Sequence, residues 1–447
     1  MSAEKVRFQM RGPVGSVTLD APPVNALTPD VRAGLGAALD MAEGQTGLRA
    51  LVLIGEGEAF SAGLDLAEMR RPAAGVPTVA DLARRLELMP VPVIAALGGR
   101  ALGAGAELAL ACHWRLAVPD ALIGLPEISL GVVPGAGGTQ RLPRLAGAEV
   151  ALGMLLSGKS APMDLARKVG LVDGVVDGHL LSGAVRFAEA LVEAGTAPRP
   201  TADRRHYLKD GTAYLAAVEA RRGTGHPPGA AARIVQCVEA ALLLPIEQGL
   251  ELEAVAHAES LDAPEARGLQ HAYLAERRCP PTLLQRDGRL FRPTEAGEAV
   301  VARLDRALRT AAERVEAAGW SAAGVDAALR AYGFRRGVLL ATNGEDAAPA
   351  RADMGVVRRV VAAVMAEGAR LLEDGSLGRA GDVDALALHG LHWPRETGGP
   401  MMGAELLGLD GLRRDMGRWA EESPVWSAPT LVSRAAAAGG FSAVPPR

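Results

Sequence analysis

Short apolar runs alternate with helical patterns along the first part of this chain, and from about Ser182 onward the apolar runs stop. That change of rhythm limits the fold more than any other feature. Val6–Met10 and Ser16–Asp20 read as two strands of a hairpin joined by Gly12, Pro13, Val14 and Gly15. Leu51–Ile54 and Val91–Leu97 are β-branched or apolar runs bounded by Gly and Pro, whereas Pro29–Met41 and Thr78–Leu88 carry helical patterns. Such alternation predicts an α/β domain. Gly223–Gly229 is a clear break, and Ala230–Leu274 carries long helical stretches. A second break, Cys279-Pro280-Pro281, leads into Arg289–Arg447, which reads as almost all helix. A length of 447 residues fits two or three domains at roughly 150 residues each.

The helical tail carries a faint internal duplication. In Val301–Phe334 a helix ends near Gly319, Val325-Asp326 opens another, and Tyr332-Gly333-Phe334 follows. In Val357–Trp393 a helix ends near Gly375, Val383-Asp384 opens another, and Gly390–Trp393 follows. The shared pattern is a long helix, a Gly cap and an Asp-started short helix. Any two alanine-rich helical hairpins would look this similar, so the pattern alone decides nothing.

Charge and composition remove whole classes of function. Lys plus Arg is 48 against 52 Asp plus Glu, a net charge of −4, so the basic footprint of a nucleic-acid binder is missing. Aromatic residues are only 3%, too few for base-stacking platforms. Cys112, Cys237 and Cys279 are odd in number and widely spaced, which fits neither a disulfide framework nor a zinc motif. The N-terminal ten residues hold no apolar signal region, and no run of about eighteen apolar residues occurs. The expectation is a chain of the reducing cytoplasm, with no membrane, nucleic-acid or metal partner.

Three segments place glycines where backbone amides would approach a ligand: Phe60–Met69, Gly99–Ala111 and Gly124–Leu142. The first two each open a helix after a strand, which leaves free N–H groups pointing outward. Two such amides from different loops, aimed at one point, make an oxyanion hole. Glu107 and Glu127 are carboxylates in apolar surroundings, suited to acid and base work once burial raises their pKa. Taken singly, either one is more simply a helix N-terminal carboxylate paired with the dipole.

In combination, the three segments resemble the enoyl-CoA hydratase/isomerase (crotonase) superfamily. The pattern runs Phe60–Leu66, then Ala101–Ala109, then Leu125–Gly131 and Pro134–Arg144, and the resemblance extends from about Val6 to Ala190. Leu244–Glu253 and Ala266–Arg278 are similar to the linker helix of the multifunctional β-oxidation enzymes, which join a hydratase to an NAD-dependent 3-hydroxyacyl-CoA dehydrogenase. Val357–Gly440 is similar to the last helical domain of that dehydrogenase. The implied architecture is an α/β crotonase-like (ββα spiral) core over 1–190, a helical extension and linker helix over 191–288, and an all-α dehydrogenase C-terminal-like pair over 289–350 and 351–447. The dinucleotide domain between linker and helical pair is missing. Gly103-Ala104-Gly105 and Gly135-Ala136-Gly137 lack the third glycine of the fingerprint, and Gly223-Thr224-Gly225 has no strand before it. His389 and His392 belong to the helical remnant and read as structural.

The resemblance implies an enoyl-CoA hydratase that adds water across trans-2-enoyl-CoA, its dehydrogenase activity lost and no NAD or other cofactor bound. Backbone N–H groups of Leu64 and Ala104 would form the oxyanion hole, with Ala104 standing where most relatives carry Gly. Glu107 and Glu127 would be the catalytic pair, and Asn25, Ala26, Leu27, Ala62, Gly63, Asp65 and Leu66 would line the CoA site. Two glutamates favour hydration over pure isomerisation, which needs one base. A Δ3,Δ2-enoyl-CoA isomerase activity, or an assembly subunit with a vestigial hydratase, are the alternatives. Fused relatives bury the surface that free-standing ones use for trimers, so a monomer is expected.

Overall fold

The computed structural model describes residues 5–70, 73–222, 229–288, 290–340 and 352–445. It divides into two compact units, Met1–Asp262 and Ala263–Arg447. The boundary falls inside the stretch read from sequence as one extension and linker over 191–288. That stretch is several helices, and the last two of them, meeting at Ala263-Pro264, belong to different units. Of the proposed boundaries, the one at 350 and 351 lies outside the described residues, as do residue 289 of the one at 288 and 289, and 223–228 of the first predicted break.

In the first unit β1 (Val6–Arg11) and β2 (Val14–Leu19) form the expected hairpin, paired from Val6 with Leu19 to Arg11 with Val14. After α1 (Pro29–Glu43), whose proline stands in the first turn where no N–H is needed, come β3 (Ala50–Gly55) and β4 (Ala59–Ser61). Helices α2 (Leu66–Arg70) and α3 (Val79–Leu88) follow, the latter started by a reciprocal Thr78–Asp81 capping box. Next are β5 (Val93–Leu97), β6 (Arg100–Leu102), α4 (Ala104–Ala111), β7 (Trp114–Ala117) and β8 (Leu122–Gly124). A one-turn 3-10 helix at Glu127–Leu130 then leads to α5 (Gly138–Ser157), α6 (Met163–Lys168), β9 (Gly174–Val175) and α7 (Leu180–Glu193). The unit ends with α8 (Gly211–Glu219), α9 (Ala230–Leu243) and α10 (Ile246–Asp262).

The main sheet runs β1-β2-β3-β5-β7-β9, parallel except for the hairpin, and a second parallel sheet runs β4-β6-β8. Each of β3, β5 and β7 is followed at once by a strand of the small sheet, and each pair by at least one helix. This is the ββα spiral. Central strands are apolar throughout because both faces are covered. Leu51, Leu53, Val93, Ala95 and Leu97 face the main core, while Ala50, Val52, Ile54, Ile94 and Ala96 face Ala184 and Ala188 of α7. Val91-Pro92 stands outside β5, consistent with a residue that has no N–H for the ladder.

The second unit opens with α11 (Pro264–Arg278) and then departs from expectation. Strands β10 (Leu284–Asp287) and β11 (Leu290–Pro293) form an antiparallel hairpin in which Leu284 pairs with Pro293 and Asp287 with Leu290. Its strands are only four residues each and break their apolar residues with Arg286, Asp287 and Arg292, so they give no apolar run to read. Helices α12 (Glu295–Ala317) and α13 (Ala322–Tyr332) are then matched by α14 (Met354–Glu373) and α15 (Ala380–Gly390). Gly319 and Gly375, both at positive φ, follow the two long helices. The two aspartates do not start the short helices. Ser321 caps α13 and Arg379 precedes α15, while Asp326 and Asp384 lie one turn inside, both buried. Asp326 accepts the N–H groups of Val338, Leu339 and Leu340, and Asp384 accepts that of Met401 at 2.7 Å. Each thus anchors the segment that follows its short helix, and the duplication is a physical one. His389 pairs with buried Glu276 at 2.8 Å. Helices α16 (Pro400–Leu406), α17 (Leu409–Trp419) and α18 (Thr430–Ala438) complete the unit around Trp426, Leu412 and Met416.

Candidate active site

The three strands of the small sheet deliver the three glycine-bearing segments at their C-terminal ends, where parallel sheets characteristically bind ligands. β4 runs into Ala62-Gly63-Leu64, β6 into Gly103-Ala104, and β8 into Leu125-Pro126-Glu127. Gly63, at φ +85°, packs so closely on the second segment that an added Cβ would lie 2.8 Å from the Leu102 carbonyl oxygen and 3.0 Å from the Ala104 nitrogen. The Leu64 and Ala104 amides therefore stand on adjoining loops. Among the described residues neither N–H has a hydrogen-bond partner. Ala104 is also the first residue of α4, so its amide has no carbonyl within the helix to bond. Two unpartnered amides on adjoining loops meet one requirement of an oxyanion hole.

Two carboxyl groups flank these amides. Glu107 sits in the first turn of α4, 2% exposed, and its Oε1 accepts the N–H of Ala136 at 2.7 Å and of Gly138 at 2.8 Å. That commits one oxygen and leaves Oε2 for chemistry. Burial raises the pKa of Glu107, against the pull of those two amides. Glu127 is also buried, and its Oε2 has no hydrogen-bond partner. An added Cβ on Gly103 would lie only 2.8 Å from Glu127 Oε1, so the carboxyl rests against the turn that opens α4. Burial, followed by the negative charge of Glu107, holds Glu127 well above the usual carboxylate range. One carboxyl is thus braced by two amides, and the other is poised to hold a proton.

A third buried carboxylate belongs to the same constellation. Glu253 of α10 accepts the N–H groups of Gly137 and Thr139, the latter at 2.7 Å, and the Thr139 hydroxyl. Burial, with the charge of Glu107 second, pushes it up to about 8. The sequence reading passed over it as part of a linker. Ile246, Gly249, Glu253, Ala256 and Ser260 are the buried positions of α10, a helical spacing that marks Glu253 as inward-facing. Beside it, buried Arg141 bonds Glu87 at 2.8 Å and the Ala136 carbonyl at 2.8 Å, fixing the loop that braces Glu107.

The residues expected to line a CoA site divide into two groups. Asn25 and Leu27 are buried and their side chains are turned inward. Asn25 Nδ2 donates to the carbonyls of Glu56 at 2.9 Å and Ala59 at 2.7 Å, and its Oδ1 accepts from Ala21. It ties the loop to β4, and with Leu27 it has no side-chain atoms to offer a ligand. Both side chains serve the loop's own structure. Ala26, Ala62, Leu64 and Leu66 are half-buried, and Asp65 is exposed, its Oδ1 accepting the Glu68 N–H at the start of α2. Gly63 contributes its carbonyl to the Leu27 N–H at 2.9 Å, which joins the two loops. Among the described residues no three His, Cys, Asp or Glu side chains are grouped to hold a metal ion, and no helix is long and apolar enough to cross a membrane.

Comparison with known proteins matches this geometry to a family. Residues 9–204 fit the family described as enoyl-CoA hydratase/isomerase. The peroxisomal bifunctional enzyme of Danio rerio is 35% identical over 59% of this chain and 37% of its own length. The glyoxysomal fatty acid beta-oxidation multifunctional protein MFP-a of Brassica napus is 34% identical over 59% of this chain and 38% of its own. An enoyl-CoA hydratase structure from Bacillus anthracis is 27% identical, covering 60% of this chain and 96% of that one, with a TM-score of 0.39. The chain spans little more than a third of the length of the curated relatives it matches. Those relatives are peroxisomal or glyoxysomal by name, which overturns the cytoplasmic location expected from the cysteines and the N-terminus. Through its N-terminal unit, the chain belongs to the enoyl-CoA hydratase/isomerase family.

Proposed function

We propose that this protein hydrates trans-2-enoyl-CoA thioesters to 3-hydroxyacyl-CoA. The observation that carries the reading is the pair of buried carboxyl groups, differently braced, beside two adjoining amides without partners. The thioester carbonyl oxygen accepts from the Leu64 and Ala104 N–H groups. Oε2 of Glu107 takes a proton from water as its oxygen bonds to C3, and the C2=C3 π electrons move into an enolate whose negative oxygen the two amides stabilise. Protonated Glu127 then delivers its proton to C2 as the enolate collapses. Glu107 finishes protonated and Glu127 ionised, and proton exchange with water resets the pair. The loops bearing Ala26, Ala62, Gly63, Asp65 and Leu66 border the thioester, with CoA lying along them. The added methyl of Ala104 narrows the approach to its amide.

The test is loss of the conjugated thioester absorbance with crotonyl-CoA and a longer trans-2-enoyl-CoA. Glu107→Gln and Glu127→Gln should each lower kcat by about a hundredfold or more, the scale of a lost general acid or base. Near-normal turnover in either variant would remove that residue from the mechanism. The unpaired oxygen of Glu127 also favours a proton shuttle between C4 and C2. An isomerase activity on 3-enoyl-CoA that survives Glu107→Gln would mark that second reaction.

A further inference from the structure

Helix α10 presents one face to the loop that braces Glu107. Ser260 Oγ accepts the Val133 N–H at 3.1 Å, His257 Nδ1 lies 2.6 Å from the Val133 carbonyl oxygen, and Glu253 reaches the start of α5 one turn earlier. Four successive amides there alternate between two carboxyl groups. Ala136 and Gly138 donate to Glu107, and Gly137 and Thr139 donate to Glu253. The backbone entering the helix is therefore gripped from both sides, so the position of Glu253 sets the direction of the amides that hold Glu107 Oε1. Glu253 is 1% exposed, and among the described residues all its hydrogen bonds go to this turn.

We propose that Glu253 is a positioning residue for Glu107, holding the base in register by clamping the opposite side of the Ala136–Thr139 turn. The inference rests on the hydratase reading. A carboxyl group suits the task because three donors converge on its two oxygens, one from Gly137 and two from Thr139. A glutamine has one acceptor oxygen, so its NH2 must face either the Gly137 N–H or the Thr139 pair. The turn then rotates or shifts, and Glu107 moves with it. Burial and the Glu107 charge push Glu253 up to about 8 against the pull of these donors, so the kcat comparison is made above that pH, where both oxygens accept.

The experiment compares full-length wild type, Glu253→Gln, Thr139→Val and Glu107→Gln with crotonyl-CoA, alongside thermal unfolding and backbone amide NMR. Glu253→Gln should keep KM within about twofold while kcat falls roughly ten- to a hundredfold, since small displacements of a catalytic group cost that much. Thr139→Val, which removes only the hydroxyl donor, should lose less than Glu253→Gln. The Ala136 and Gly138 amide signals should move in Glu253→Gln while distant signals stay. Unchanged kcat in folded Glu253→Gln, or a loss confined to KM or to stability, would overturn the proposal. If Glu253→Gln does not fold, Glu253→Asp, which keeps both oxygens on a shorter arm, is held to the same criteria. A wild type without hydratase activity would overturn the functional reading instead. The amide signals then still judge the clamp: if those of Ala136 and Gly138 stay fixed, it is refuted.

Discussion

Gly103→Ala isolates the contact between the two halves of the site. Gly103 has φ +54° and ψ −129°, a region that L side chains avoid, and a Cβ there would sit 2.8 Å from Glu127 Oε1. Ordinary contact begins near 3.4 Å, so the carboxyl must retreat by about 0.6 Å or the turn must open. Productive geometry tolerates about 0.5 Å, so the retreat alone takes Glu127 out of reach of C2. The backbone strain adds about 1–3 kcal/mol of instability. The expected outcome is a kcat lower by roughly ten- to a hundredfold with a lower melting temperature. Gly12→Ala is the control. Its φ is +63° with nothing within 4 Å of the new Cβ, so it should lose stability and keep kcat. Both variants go through the crotonyl-CoA assay and thermal unfolding. A folded Gly103→Ala with wild-type kcat, or a Gly12→Ala equally impaired in kcat, would refute the reasoning.

Two further outcomes follow from the same features. Burial and the Glu107 charge push Glu253 up to about 8 from the ordinary 4.5, so between these the native state holds a proton that the unfolded chain has released. Its contribution is therefore fully present below pH 4.5 and declines as pH rises towards 8, by up to about 5 kcal/mol. Urea unfolding from pH 5 to 8 should show a steeper decline in wild type than in Glu253→Gln, and parallel curves would contradict it. The chain should bind no NADH and oxidise no 3-hydroxybutyryl-CoA, because no glycine fingerprint follows a strand and opens a helix. Saturable micromolar binding in calorimetric titration would disprove this.

The alternation of strands and helices was legible because central strands buried on both faces must be apolar along their length. Leu51–Ile54 needs no partner to be recognised as one of them. The hairpin of the second unit was not legible, since Leu284–Asp287 and Leu290–Pro293 expose charged side chains and mimic a polar loop. Between them Gly288, at φ +58°, is a turn residue, a weak signal by itself. The helical repeat was visible as a rhythm, but the role of its aspartates was not. An Asp near a helix start reads as a cap. Burial of Asp326 and Asp384, with the amides they collect from residues more than ten positions onward, follows from packing that no local window contains.

The same distinction runs through the site. Glu107 and Glu127 stand inside apolar, glycine-bearing segments, so their burial is written in their immediate neighbours. Asn25 is placed at the CoA site by the resemblance of its loop alone; its φ of +50° and three backbone partners make its side chain a fastener of that loop, which no local pattern announces. Glu253 lies more than a hundred positions from the amides it accepts, in a helix with acidic residues at 247, 251, 253, 259 and 262. Helical spacing puts it on the inward face with Ile246, Gly249, Ala256 and Ser260, but does not say what it meets there. What singles it out is the helix N-terminus it meets. Glu107 alone takes the amides of Ala136 and Gly138 and leaves those of Gly137 and Thr139 facing the other way. Buried amides require acceptors, so a second acceptor had to come from elsewhere in the chain. A single braced carboxylate at a buried helix start therefore implies a partner on the far side of the turn. In a homologous sequence, the inward-facing acidic residue of the helix packed there is the position to search.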